Sequence, residues 1–453
     1  MADDREKPKE ACSKGLSEIL EEDRISQLPD HLIYHILGYL SINDVVRPSI
    51  LSTRWRGLWL WVPRLELSSR EFSDFNAFAS FGDKFFDSDR VSCIENLELT
   101  IVVNENTSYF TSWIDDAVKR NVQHLRLDFC LTSYFERPVS LYVCHTLVSL
   151  KLNCMTLDVV EFFSFPRLKT MHLTYLWLSK DATFERFVSS CPVLEDLEIF
   201  GYLDASQPLR VHSRSLKRLI IAGCASTKVD SVPGIIIDAP LLCDLAIIDE
   251  KSKSFIVNNM EYNAKLKIDV SFGIEVVDEA SVSSRRSLIR SCLSGILKVE
   301  DLTIFGDILL KIIHYYSKSE SLPQFGYMSQ LSLVGEYMKW FEPFLESCPN
   351  LKSLVLMGPS YSLEKMDQVN INLYVPSSVP KCLESSLEFV ILKFPVSINV
   401  AEMKLVRYFL ENSAVLKRLT LHLDSNSTED EVLKKLLEVP RASTKCKVVI
   451  VQK

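Results

Sequence analysis

One spacing recurs along most of this chain: an apolar residue, two of any kind, an apolar residue, one of any kind, and a third apolar residue. It stands at Ile94-Leu97-Leu99, Val122-Leu125-Leu127, Leu147-Leu150-Leu152, Leu168-Met171-Leu173, Leu194-Leu197-Ile199 and Leu216-Leu219-Ile221. It continues at Leu242-Leu245-Ile247, Val299-Leu302-Ile304, Met328-Leu331-Leu333, Leu351-Leu354-Leu356, Leu387-Val390-Leu392 and Leu416-Leu419-Leu421. With 47% of the chain apolar, three such positions coincide by chance about one time in ten, so a single match carries no weight. The succession does, because its central positions advance at near-regular intervals through 97, 125, 150, 171, 197, 219 and 245. A proline also precedes the motif by two residues at Pro166, Pro192, Pro240 and Pro349, twice within the longer frame Ser-Cys-Pro-x-Leu.

Intervals of this size are those of leucine-rich repeats. In such repeats each short strand pairs with the strand before it, about 4.8 Å away, and its leucines enter a shared core. The prolines would end a preceding helix and pass the chain into the strand. The residue between the last two apolar positions would face solvent on the concave side. These positions are Glu98, Arg126, Lys151, His172 and Glu198, then Ile220, Ala246, Thr303, Ser332, Val355, Ile391 and Thr420. The first five are polar or charged with mixed sign and form a candidate substrate face suited to a protein segment or a small ligand. A nucleic-acid groove would be uniformly basic. Between 245 and 302 the register blurs to a weak repeat at Leu266-Ile268, and 279–298 reads as an amphipathic helix. Trp113, Trp177 and Trp340 read as packing residues rather than ligand stackers.

A different pattern occupies residues 23–61. Pro29 and Asp30 favour a helix start, and Ile33, Ile36, Leu37 and Leu40 follow at i, i+3, i+4 and i+7. Leu32, Tyr34 and Tyr39 make the rest of this helix apolar too. A helix apolar nearly all round is covered on more than one side. In so short a module one of those sides must belong to a partner. Ser41 and Asp44 open a second helix with a capping-box-like pair, and the segment closes on Trp55-Arg56 and Leu58-Trp59. His31 and His35 lie one turn apart, as metal ligands can, but neither a third ligand nor the glutamate of a zinc-protease helix accompanies them. They read as the wet strip of a docking helix.

Composition narrows the function further. The net charge of −8 and the lack of a long basic stripe disfavour nucleic acid as a partner. No run approaches the roughly 18 apolar residues that cross a bilayer, and the charged N-terminus lacks a signal-peptide core. The expectation is a soluble protein of the cytoplasm and/or nucleus, without a membrane partner. The 12 cysteines form no C-x-x-C pair and read as reduced, mostly buried thiols. Phosphate-cradling glycine motifs and the G-x-S-x-G elbow are absent, so neither an enzyme nor a cofactor or metal is expected.

The segment Asp23–Trp61 resembles a plant F-box, through Asp23-Arg24-Ile25-Ser26, Leu28-Pro29-Asp30, Ile36-Leu37, Val45-Val46-Arg47, Ile50-Leu51-Ser52 and Arg54-Trp55-Arg56-x-Leu58-Trp59. The last block resembles the FBD domain found with it, through Val379-Pro380-x-Cys382-Leu383, Val406–Asn412, Val415-Leu416-Lys417 and Pro440-Arg441-Ala442-Ser443. The resemblance implies an α/β chain: a disordered tail over 1–22, a three-helix F-box over 23–66, an irregular leucine-rich-repeat solenoid, or horseshoe, over 67–375, and a C-terminal α/β FBD cap over 376–453. It implies a non-catalytic substrate receptor of an SCF-type ubiquitin ligase, holding the Skp-family adaptor, and through it a cullin, by the F-box and a target protein by the repeats. Leu28, Pro29, Ile36, Leu40, Val45, Leu51 and Trp55 are the expected adaptor contacts. The alternative is a repeat scaffold with a degenerate F-box and no ligase role. Pro48 departs from the F-box pattern, because proline in a regular helix interior costs about 3 kcal/mol. Either the helix is already broken there or adaptor binding is weakened; with apolar anchors intact on both sides, the first reading is preferred.

Overall fold

A computed structural model describes residues 28–40, 44–45, 55–88, 93–102, 108–129, 138–157, 162–175, 177–178, 182–201, 207–223, 233–258, 260–335, 340–358, 375–376, 378–396, 400–423 and 429–451. The expected tail, most of the second F-box helix with Ser41, Pro48 and Leu51, and the side chains of Trp55 and Trp177 lie outside the described residues.

Among the described residues the repeating leucines build one sheet of fifteen strands, from Arg64–Ser68 to Lys447–Val451. Its neighbours follow in chain order and pair in parallel throughout. Register is held by the apolar pattern, because a slip of one residue would turn every leucine outward. The central motif positions stand side by side, for example Leu97 with Leu125, Leu125 with Leu150, Leu331 with Leu354 and Val390 with Leu419. The third positions do the same, from Leu99 with Leu127 to Leu392 with Leu421. These side chains are nearly all buried; Leu97, Leu245, Leu331 and Leu354 are each 0% exposed. Each is worth roughly 1.5–3 kcal/mol of apolar burial.

The sequence pattern missed the first rung. Val62-Leu65-Leu67 carries the same spacing and forms the strand Arg64–Ser68, beside Asn96–Ile101, across the expected boundary at residue 66. The blurred region resolves into a full strand, Ala264–Val270, whose Leu266 and Ile268 pair with Leu245 and Ile247 on one side and Leu302 and Ile304 on the other. The helix expected over 279–298 is two helices, Glu279–Ser284 and Arg286–Gly295, joined at Arg285. Ile289, Cys292 and Leu293 of the second lie against Ile268, Leu302 and Ile304, so the helices pack on the leucine side of the sheet. A second parallel sheet, Leu209–His212, Ile235–Asp238 and Phe255–Asn258, lies in the intervals between strands of the first.

The prolines act as turn residues more than as helix terminators. Leu168, Leu194, Leu242 and Leu351 each donate a backbone N–H to the carbonyl three residues earlier, closing a turn with the proline at its second position. Proline's fixed φ suits that position. A helix precedes Pro192 and Pro349 within four residues, but Pro240 follows the strand Ile235–Asp238 instead.

The C-terminal block extends the array. Phe389–Val396, Arg418–Leu423 and Lys447–Val451 are three further strands of the same sheet, with the helices Val400–Asn412 and Glu429–Leu437 between them. At the other end an aromatic cluster joins the N-terminal module to the sheet. Trp59 stacks on Phe81 at 4.6 Å, Phe86 stacks on Trp113 at 5.6 Å, and Trp113 Nε1 donates to Asp83 Oδ1 at 2.9 Å. Gly82 makes the Trp113 contact possible, since a Cβ there would sit 2.3 Å from the indole ring.

Candidate functional site: an apolar helix face and a polar sheet face

The helix Asp30–Leu37 starts on Pro29, whose carbonyl accepts the N–H groups of Leu32 and Ile33 at 3.0 and 3.2 Å. It ends in a turn in which Gly38, Tyr39 and Leu40 donate to the carbonyls of Tyr34, Ile36 and Leu37. One side packs inward: Ile33 and Leu37 are 0% and 2% exposed, and Tyr34 stacks on Trp61 at 5.4 Å. The other side does not. Leu32, Ile36 and Leu40, spaced at i, i+4 and i+8, are 42%, 45% and 47% exposed, and Tyr39 is 74% exposed.

The stripe Ile33-Ile36-Leu37-Leu40, read from the sequence as one face, is therefore divided. Ile33 and Leu37 serve the chain's own core, whereas Ile36 and Leu40 face out. Pro29 is exposed at the start of this helix and Leu28 is half-buried against the core. Val45, expected as a contact residue, is 3% exposed and belongs to the internal core, so it supports the module rather than its surface. Leu51 and the side chain of Trp55 lie outside the described residues. Leu32 and Tyr39 were missing from the expected contacts, although the spacing 32, 36, 40 was a legible signal of a second stripe. His31 and His35 are exposed on the helix, and His35 meets Tyr39 edge-on at 5.3 Å.

The strands place the second candidate site. Glu66, Glu98, Arg126, Lys151, His172 and Glu198 occupy one transverse row of the sheet, each in register with the next. The row goes on through Ile220, Ala246, Lys267, Thr303, Ser332, Val355, Ile391, Thr420 and Val449. All five predicted face residues are thus adjacent. Arg64, Glu98, His124, Arg126 and Lys151 line a shallow depression of about 340 Å³.

Charges in this row are largely matched within the chain. Arg126 lies 3.7 Å from Glu98. Glu198 receives Arg218 Nη1 on Oε1 at 2.6 Å and lies 2.7 Å from His172 Nδ1 through Oε2. Arg218 also donates to Asp196 Oδ2 at 2.8 Å. Partial burial works against the Glu198 carboxylate, but the hydrogen bonds from Arg218 and His172 outweigh it and hold the group below the usual glutamate range. The pairing with Asp196, ahead of that with Glu198, raises Arg218 further above its ordinary value. Such a surface can offer paired hydrogen-bonding groups to a segment laid across it. Burial pushes the thiols of Cys191 and Cys292 up to about 12, which keeps them unreactive at neutral pH. Among the described residues, no group of three His, Cys, Asp or Glu side chains is arranged to hold a metal ion, and no helix is long and apolar enough to cross a membrane.

Comparison with known proteins decides the family. The F-box domain matches residues 25–67, the leucine-rich repeats of the FBD-associated F-box protein At5g56370 match 110–278, and the FBD matches 375–421. An FBD-associated F-box protein of Arabidopsis thaliana, At5g53635, is 52% identical over 94% of this chain and 100% of its own length. The chain belongs to the plant F-box/FBD/LRR family. Two other Arabidopsis F-box/FBD/LRR-repeat proteins, At2g05300 and At5g22660, are 49% and 40% identical over 97% and 95% of this chain and 100% and 97% of their own. F-box proteins generally act as substrate receptors of SCF ubiquitin ligases, binding Skp-type adaptors, and those with leucine-rich repeats are typically non-catalytic. The exposed stripe on Asp30–Leu37 falls inside the F-box match, and the polar row from Arg126 to Glu198 falls inside the repeat match.

Proposed function

We propose that this chain is the substrate-recognition subunit of an SCF-type ubiquitin ligase and performs no chemistry of its own. The carrying observation is the divided F-box helix. Ile33 and Leu37 hold it to the chain, while Leu32, Ile36, Tyr39 and Leu40 leave a contiguous apolar stripe in solvent. Clustered exposed apolar residues of this kind mark protein contact sites. A Skp-family adaptor covers this stripe and links the chain to a cullin. The parallel sheet, curved into a solenoid or horseshoe, presents the row Glu98, Arg126, Lys151, His172 and Glu198 to a target protein. The F-box, repeat and FBD regions run over 23–66, 67–375 and 376–453, in the cytoplasm and/or nucleus.

Co-purification of the full chain with a Skp-family adaptor and a cullin tests this reading. Wild type should retain both. Leu32→Ala combined with Ile36→Ala should lose the adaptor while its thermal unfolding stays that of wild type, because both side chains lie on the exposed stripe. Failure of wild type to retain any adaptor would instead establish a repeat scaffold with a degenerate F-box.

A further inference from the structure

The two edges of the sheet end differently. At the first strand, Arg64–Ser68, Leu65 and Leu67 are 0% and 3% exposed, so the leucine rows close. At the last, Lys447–Val451, no residue is fully buried: Val448 and Ile450, which continue those same rows, are only partly covered, and Val449 is 39% exposed. Among the described residues this strand pairs on one side only, with Arg418–Leu423. Its sequence, Lys-Val-Val-Ile-Val, is the apolar type that an open edge ordinarily avoids.

Backbone geometry says what can cover it. The Lys447 N–H donates to the Lys417 carbonyl at 3.0 Å. In a parallel ladder alternate residues face the neighbouring strand, so Lys447, Val449 and Val451 bond inward and Val448 and Ile450 aim their N–H and C=O groups away from the sheet. Two donors and two acceptors are presented along the open edge, and another extended strand matches them.

We propose that Lys447–Val451 is a pairing edge for a second copy of this chain, joined antiparallel about a twofold axis through Val449. In that register Val448 faces Ile450 of the second copy and Ile450 faces its Val448. Both are hydrogen-bonded pairs, which exchange two bonds each and satisfy all four outward groups. Val449 meets its own copy in the close, non-hydrogen-bonded position on the axis. The valine and isoleucine rows of the core then continue from one sheet into the other. Lys447, the strand's charged residue, lies opposite Val451, clear of the axis, so no like charges are opposed. A twofold contact needs a patch complementary to itself, and this strand is apolar on both sides of its centre. A foreign strand would have to supply the same alternation independently.

The test is the mass of the full chain in solution, by sedimentation equilibrium at micromolar concentration, with charge exchange on the axis. Wild type should be a dimer. V449K and V449E each place like charges against each other and should be single chains, with unchanged far-ultraviolet circular dichroism because Val449 faces solvent. An equimolar mixture of the two should recover a dimer. V451E sets a glutamate opposite Lys447 twice and should tighten the wild-type dimer several-fold. A wild-type single chain, either charge variant as dimeric as wild type, a mixture no tighter than its components, or a V451E dimer weaker than wild type would overturn the assignment. The F-box stripe cannot imitate this pattern, since none of the three substitutions touches it.

Discussion

Leucine and isoleucine behave differently in two parts of this molecule. In the sheet Leu97, Leu245, Leu331 and Leu354 are 0% exposed, whereas on the helix Asp30–Leu37 and its following turn Leu32, Ile36 and Leu40 keep 42–47% of their surface in solvent. Both regions are dense in apolar residues, so composition does not separate them. Periodicity does. A strand alternates strictly and can turn every apolar side chain to one face. A short helix apolar around most of its circumference cannot, unless something covers its second side. The sheet's outward face at the N-terminal half carries charges already paired within the chain, such as Glu198 with Arg218 and His172. The two surfaces therefore offer different things: one gains by burying apolar area, the other by exchanging existing ion pairs.

The largest contrast should appear when equivalent atoms are deleted on each side. Leu354→Ala removes a fully enclosed side chain from the middle of the leucine rows, and should lower unfolding free energy by about 2–5 kcal/mol through lost transfer energy and the cavity left behind. Denaturant titration of the full chain measures it. Ile36→Ala should cost under about 0.5 kcal/mol of stability but weaken adaptor binding by about 30-fold, the size expected when a central apolar contact is truncated. Isothermal titration with a Skp-family adaptor reads the second effect. If Ile36→Ala destabilised the chain as much as Leu354→Ala, the outward stripe would be internal packing and the contrast would fail.

Most of the sheet was legible because its constraint is periodic. The motif spacing identified the strands from Asn96–Ile101 onward, and their registers follow the two apolar positions without slip, down to the weak repeat at Leu266-Ile268. Val62-Leu65-Leu67 obeys the same rule but sits directly after Trp55–Trp61, where the F-box pattern had claimed the residues. The second sheet was not legible. Strands such as Ile235–Asp238 are four residues long and lie in the intervals between repeats, where no spacing announces them. The F-box helix reads from its residues as apolar nearly all round, from which the need for a second cover follows. The sequence did not say which side the chain itself would cover. That depended on long-range packing around Trp61 and Tyr34, and it moved Val45 inward and Leu32 and Tyr39 outward. The matched charges of the polar row were likewise invisible, because Arg218 reaches Glu198 across twenty residues of sequence from a neighbouring strand.

Farther along the sheet's outward face, one carboxylate lies among like charges. Asp269, beside Ile248, is partly buried and lies within the field of Glu250 and Asp307. Burial first, and those carboxylates second, push its pKa up to about 6 from 3.8. A raised carboxyl pKa means that the folded chain holds this proton more tightly than the unfolded one, so a penalty is present above about 6 and is relieved as pH falls toward 3.8. Asp269→Asn should therefore stabilise the chain at neutral pH by about 1 kcal/mol, after allowing for solvent screening. The gain should shrink as thermal unfolding is repeated at lower pH. A gain that is flat in pH would mean that it does not come from relieving the carboxylate's charge.

Glu198 sharpens the comparison from the opposite sign and should give the smallest effect. Its folded-state pKa is depressed, since the Arg218 and His172 hydrogen bonds outweigh the burial that opposes them. The stability it contributes is in place above the ordinary glutamate value of 4.5 and drains away as pH falls through the lower folded value. Glu198→Gln should cost about 0.5 kcal/mol at neutral pH, the scale of a surface ion pair, because the Arg218 side chain is 39% exposed. Wild type and variant should converge as the pH is taken well below 4.5, and 1 M salt should narrow the gap at neutral pH, where the screening length is about 3 Å. A cost that survives both acid and salt would make Glu198 a packing residue of the sheet. The polar face would then differ from the leucine face in composition but not in what holds it.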